Sequence, residues 1–273
     1  MSAATQSSFY WPMRLAPQPQ SSGLFAVYAW CREVDDIVDG PGQPEDKAEK
    51  LLLWRKFFSD PHHATAMAPD EALLAATVSA AMAAHRLDPA VFMKIIDGFE
   101  MDLTGEMRAP SAAMLADYSA CVAGAPGRLC LAIMGWRGPE ADAFAHALGE
   151  AVQYTNILRD VDEDAAMGRM YVPREALDAA GIVAAEPSIV IADKRFANAW
   201  LALALMAEAK FHHADALLPP DRRAGIRPVL AMMAVYRALW RRLRRRGWRP
   251  GQARVSVPKW QASLLALRAA WLA

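Results

Sequence analysis

Cysteine is scarce in this chain, and neither sign of charge prevails. Three cysteines in 273 residues, at Cys31, Cys121 and Cys130, fall in apolar helix-like stretches without metal-ligand spacing. They read as core thiols and fit a reducing, cytoplasmic compartment. Lysine and arginine number 30 and so do aspartate and glutamate, so nothing in the charge balance points to a nucleic-acid partner. Long hydrophobic runs are also missing. The longest, at 72–84 and 229–240, are too short or too interrupted to cross a bilayer. Residues 1–6 lack a basic stretch followed by an apolar one, so no signal peptide is expected. The expectation is a protein that stays in water or lies on a membrane surface.

Strand-like alternation is nearly absent as well, and helical periodicity dominates. Gly and Pro gather in short breaks at 40–44, 59–69, 105–110, 135–139, 184–187, 218–228 and 247–251. The strongest helical stretches between them are 22–39, 45–58, 70–85, 89–103, 111–123, 139–164, 193–217, 227–246 and 258–271. No break is long enough for a flexible linker and no repeat period stands out. The economical reading is one all-α domain spanning 1–273.

Two carboxylate clusters interrupt the apolar pattern: Asp35, Asp36 and Asp39, and Asp160, Asp162, Glu163 and Asp164. Their outer aspartates are four apart and share a helix face. Tyr28 and Arg32 extend the first stripe, Gln153 and Asn156 the second, and apolar side chains flank both. A solvated helix face is the ordinary reading of one such cluster. Two of matching layout, each with arginine nearby, favour a chemical role. Carboxylates crowded against apolar surroundings repel one another unless a cation neutralises them. Oxygen ligands suit hard divalent cations, and Mg2+ commonly joins a few carboxylates to substrate phosphates. Diphosphate chemistry is the expectation. Asp160, Asp162 and Asp164 also match the alternating start of a calcium loop, but Ala165 and Tyr171 stand where it needs glycine and a bidentate glutamate.

Two other clusters are weaker. His212 and His213 lack partners at ligand spacing and read as a partly exposed pair. Arg241, Arg242, Arg244, Arg245, Arg246 and Arg249 surround a helix end before Gly247, which suits a glycine just past the last turn. Anionic lipid headgroups are the alternative use for those arginines, and the two are compatible.

The run from Tyr28 to Asp39 (Tyr-Ala-Trp-Cys-Arg-Glu-Val-Asp-Asp-Ile-Val-Asp) resembles the first aspartate motif of the squalene/phytoene synthase family. Gln153 to Asp164, followed by Gly-Arg-Met-Tyr-Val-Pro at 168–173, resembles the second. Ser7, Ser8, Phe9 and Tyr10 are similar to the family's N-terminal substrate segment, Tyr118 through Gly127 to its central motif, and Tyr236 to its C-terminal tyrosine. The matches run in order over nearly the whole chain.

The resemblance implies the all-α isoprenoid synthase fold, a helical bundle around a central cavity, and head-to-head (1′-1) condensation of two prenyl diphosphates. It implies Mg2+, two or three ions, on Asp35, Asp39, Asn156, Asp160 and Asp164. It places Tyr28, Arg32, Gln153, Arg159, Tyr236 and Ser7 to Tyr10 against diphosphate or prenyl groups. Tyr118 is the candidate for steering the cation or its proton, with the departed diphosphate as an alternative base and a structural tyrosine as the plain one. Phe9 and Phe25 are further aromatic candidates. Pro126 departs from the family pattern, and a sharper helix break there is expected. Ser119 stands in place of a common cysteine.

Within the family, residues 7–15 and 156–164 look most like bacterial presqualene diphosphate synthases of hopanoid biosynthesis. That implies farnesyl diphosphate as substrate, no NADPH and functional coupling to downstream hopanoid-pathway enzymes. The cysteines and the arginines of 241–249 add the expectation of a cytoplasmic protein that can touch the inner membrane face. Dehydrosqualene, phytoene or squalene synthesis is the alternative. A non-catalytic assembly factor of the same fold is a remote one, since such relatives are expected to lose aspartates that are intact here.

Overall fold

A computed structural model describes residues 13–14 and 16–272, and side chains at 266 and 269–272 are left aside. The segment Ser7, Ser8, Phe9 and Tyr10 lies outside the described residues. The described residues are mainly helical and form no strand. The helices are α1 (Gln20–Asp39), α2 (Pro44–Ser59), α3 (Pro69–His85), α4 (Pro89–Thr104), α5 (Ala112–Ser119) and α6 (Ala125–Ile133). They continue with α7 (Pro139–Ala166), α8 (Arg174–Ala179), α9 (Pro187–Ala192), α10 (Phe196–Leu217), α11 (Arg227–Arg246) and α12 (Lys259–Leu272).

Proline sets many of the starts. Pro44, Pro69, Pro89, Pro139 and Pro187 each occupy the first turn of a helix, where the missing N–H costs nothing and φ is already helical. Gly247 ends α11 with φ of 70°, a conformation that favours glycine.

Apolar faces gather into two cores. The first joins α1 to α4 around Trp30, Trp54, Phe58 and Phe92; Trp30 meets Phe58 and Phe92 edge-on, both at 5.1 Å between ring centres. The second surrounds α7, with α10 and α11 packed over it. Indole N–H groups tie that stack together. Trp200 donates to the Leu158 carbonyl at 3.1 Å and Trp240 to the Ala204 carbonyl at 2.9 Å. Cys130 and Met134 of the α6 region touch both cores, and a large cavity opens where the cores face each other.

The expected break at Pro126 does not occur. Helical backbone runs from Ala112 to Ile133, with one π-turn at Ala120–Gly124, and Ala125 stays right-handed at φ −63° and ψ −45°. Its N–H reaches back to the Ala120 carbonyl, one residue further than in an α-helix. That extra residue offers a way to accommodate a proline with no N–H inside a helical run. The turn also needs a close neighbour. A Cβ on Gly149 of α7 would stand 2.5 Å from the Gly124 nitrogen, so α7 and the π-turn approach backbone to backbone.

Two loops are pinned together at the cavity's edge. The Ala109 N–H donates to the Met170 carbonyl at 2.6 Å and the Met170 N–H to the Met107 carbonyl at 3.4 Å. This single parallel bridge fixes the segment after α7 against the end of α4.

Candidate active site

The cavity holds about 1100 Å³, a little above the usual span of small-molecule sites (roughly 300–1,000 Å³). Its depth is apolar, walled by Val122, Leu131, Phe144, Leu148, Ile157 and Leu239, and carboxylates line it on α1 and α7. Both expected stripes meet there. Tyr28, Arg32, Asp35 and Asp39 line it from α1, and Gln153, Asn156, Arg159, Asp160 and Asp164 from α7. Tyr118 and Tyr236 line it too. The middle acids behave differently. Asp36 is exposed and pairs with Arg32, and Asp162 accepts the Gly251 N–H at 3.3 Å; neither lines the cavity. Asp160 to Asp164 lie on continuous helix, which removes the calcium-loop reading. Phe25 packs with the first core and is not in the cavity wall. His212 and His213 are both exposed.

Burial and crowding shape the acids' electrostatics. Burial, then the Asp39 charge, pushes the Asp35 carboxyl up to about 6. Burial, then Asp160, pushes Asp164 up to about 8. Arginines offset part of the repulsion. Arg32 reaches Asp35 at 2.7 Å and Asp36 at 2.6 Å. Arg169 reaches Asp39 at 2.6 Å, and Asp160 receives Arg159 at 2.5 Å and Arg254 at 2.8 Å.

Among the described residues, no three His, Cys, Asp or Glu side chains form a ready metal cage. The donor set nonetheless fits Mg2+. That ion is usually held by one or two carboxylates together with water and substrate phosphates, not by an all-protein cage. Its ligands here would be carboxylate and amide oxygens on opposed helices. One of them, Asn156 Oδ1, is buried without any hydrogen-bond partner, and such an atom is costly unless something fills its lone pairs.

A comparison with protein families matches squalene/phytoene synthase over residues 3–261. The chain belongs to the squalene/phytoene synthase family. Relatives include a presqualene diphosphate synthase of Sinorhizobium fredii, 38% identical over 87% of this chain and 84% of that protein. A presqualene diphosphate synthase of Rhodopseudomonas palustris is 38% identical over 94% of this chain and 90% of its own length. A squalene synthase from Alicyclobacillus acidocaldarius superposes with a TM-score of 0.74 at 25% identity, covering 90% of this chain and 91% of the other. A dehydrosqualene synthase gives the same TM-score, 0.74, at 24% identity, covering 97% and 91%; that likeness supports the helical fold alone. The isoprenoid synthase fold expected from the sequence is the one observed.

The sequence reading of this squalene/phytoene synthase site missed several wall residues. Asp102 accepts the Tyr118 hydroxyl at 2.9 Å and the Tyr171 hydroxyl at 2.6 Å. Arg169, Tyr171, Glu163, Arg254 and Lys259 also line the cavity. Arg169 and Tyr171 sit in the 168–173 run that carried part of the resemblance. For Asp102 the sequence carried little signal, since Asp97 and Glu100 on the same helix are acids too and pair with Arg55.

Proposed function

We propose that the protein is a prenyltransferase that condenses two farnesyl diphosphates head-to-head to presqualene diphosphate, releasing one diphosphate, with Mg2+ and without NADPH. The observation that carries this reading is the meeting of the α1 and α7 acid stripes at one deep apolar cavity. The presqualene diphosphate synthases at 38% identity over most of their length support it. In this reading the chain acts as one catalytic unit over 1–273.

Asp35, Asp39, Asn156, Asp160 and Asp164 would hold the metal. Bound there, Mg2+ would supply positive charge to the diphosphate as it leaves. Arg32 and Arg159 would grip diphosphate oxygens through paired N–H donors, and Tyr28, Gln153, Tyr236 and residues 7–10 would orient the two substrates. As the C1–O bond of one farnesyl group breaks, the double bond of the second attacks the allylic cation. Proton loss then closes the cyclopropane ring, and the second diphosphate stays attached. Apolar walls keep water from the cation.

The thiols in the wall are kept weakly nucleophilic. Cys31 and Cys130 line the cavity, but burial pushes the Cys31 thiol far up and that of Cys130 up to about 12. Both stay protonated, and a neutral thiol is a far weaker nucleophile than a thiolate.

The same reading includes peripheral contact with anionic lipid, at the cytoplasmic face of the inner membrane. Among the described residues no helix is long and apolar enough to span a bilayer. Arg241, Arg245 and Arg249 are exposed. On α12, Trp260, Leu264 and Leu267 are exposed at turn spacing, and Arg242 ties its first turn to α11 through Gln261 at 2.5 Å. A product that keeps its diphosphate must be consumed by a later enzyme, which is the coupling to hopanoid synthesis. Product analysis after incubation with farnesyl diphosphate and Mg2+, with and without NADPH, tests the proposal. Presqualene diphosphate in both incubations supports it; squalene, dehydrosqualene or phytoene overturns it.

A further inference from the structure

Asp102 stands apart from both acid stripes. It lies on α4, lines the cavity, and gives one carboxylate oxygen to each of two tyrosines. Tyr118 comes from α5 and Tyr171 from the segment after α7, and their rings stack at 5.4 Å and 22°. Both tyrosines are almost wholly buried, yet both belong to the cavity wall. Because each hydroxyl donates its proton to Asp102, the remaining lone pairs of each oxygen are left for another hydrogen.

This arrangement constrains how Tyr118 can act. Burial, then the Asp102 charge, raises the Tyr118 hydroxyl well above its ordinary value, so a resting tyrosinate is excluded. A neutral phenol can take up a proton only if it gives up its own in the same movement. Asp102 is the group to which that proton already points. Burial also raises the proton affinity of Asp102, against the opposing pull of Tyr171, Arg169 and Tyr118.

We propose that Asp102 is a positioning residue that makes Tyr118 the acceptor of the proton lost when the cyclopropane closes. The inference rests on the reaction proposed above. The C1–H bond of the former allylic cation breaks, and its electron pair forms the last carbon–carbon bond of the ring. The proton goes to the Tyr118 oxygen while the phenolic proton of Tyr118 passes to Asp102. Tyr171 holds the second carboxylate oxygen and keeps the group aimed. Asp102 returns the proton to solvent once product leaves.

The test separates ring closure from the preceding ionisation. Asp102→Asn keeps the size of the side chain but removes its capacity to take a proton. With farnesyl diphosphate and Mg2+, presqualene diphosphate formation should fall by about 10²-fold, the scale of general base catalysis. Loss of farnesyl diphosphate to farnesol and elimination products should rise in proportion. Farnesyl diphosphate deuterated at C1 should then show a primary isotope effect on ring closure that is larger than in the unaltered enzyme. Tyr118→Phe should behave alike, and the double variant should be no worse than the poorer single one, since the two residues act as one relay.

Equal loss of ionisation and ring closure, no larger isotope effect, or additive losses would overturn the proposal and leave the released diphosphate as acceptor. If Asp102→Asn fails to fold, Tyr118→Phe against Tyr171→Phe decides: only the former should enlarge the isotope effect, and no enlargement in it sinks the idea. The identity of the unaltered enzyme's product tests the reaction itself, so failure there is distinguishable.

Discussion

Arg169 and Asp39, 130 residues apart in sequence, meet at 2.6 Å. Asp39 ends α1 and Arg169 follows α7, so a guanidinium already links the two acidic stripes. Asp35, Asp39 and Asp160 are thus paired with arginines that also suit diphosphate oxygens. In the proposed reaction, a metal–diphosphate pair would exchange partners within this set instead of creating charge contacts afresh.

If the stripes hold metal, Asp35→Asn and Asp160→Asn should each lower turnover by about 10²-fold or more and leave the helical fold intact. Steady-state rates at ordinary Mg2+, alongside circular dichroism, check this. Near-normal rates in either variant remove the metal assignment.

Arg32 divides its two terminal nitrogens between Asp35 and Asp36, a fork that an ammonium cannot reproduce. Arg32→Lys should therefore impair turnover by about tenfold or more while preserving charge. Full activity with lysine would make Arg32 a general source of positive charge.

The acids also set a pH dependence for the metal-free protein. Asp35 at about 6 and Asp164 at about 8 both lie above the ordinary 3.8. The folded state thus holds protons that the unfolded chain has already released, and stability falls as pH rises through the window from 3.8 to about 8. Asp164→Asn should raise the melting temperature at the alkaline end of that window and change it little at the acid end. Thermal unfolding in chelator at both ends measures this; an equal shift at the two pH values contradicts it.

Basic and apolar groups around the end of α11 and the start of α12 predict weak, reversible binding to anionic vesicles. Each arginine near such a surface contributes about 1 kcal/mol, and salt screens the attraction. Sedimentation should show binding at low salt that fades at high salt and after neutralising Arg241, Arg245 and Arg249. Binding unchanged by those substitutions rules the surface out.

The α1 and α7 stripes were legible in the sequence because each lies on one helix, where turn spacing alone decides which side chains align. Helix starts were legible through proline. Asp102, Arg169 and Arg254 were not, since each reaches the cavity from a different element and joins it only through packing. Pro126 misled for a related reason. Local rules assign it a break, whereas the π-turn before it and the close pass of Gly149 keep the helix running.

In the proposed reaction two farnesyl diphosphates join and only one diphosphate leaves. Its most direct measure is the ratio of inorganic diphosphate released to farnesyl diphosphate consumed, taken with and without NADPH. The expected ratio is one released for every two consumed, unchanged by NADPH, with the remaining diphosphate on a product that yields an alcohol after phosphatase treatment. Release of one for every substrate consumed, with a hydrocarbon as product, would contradict it.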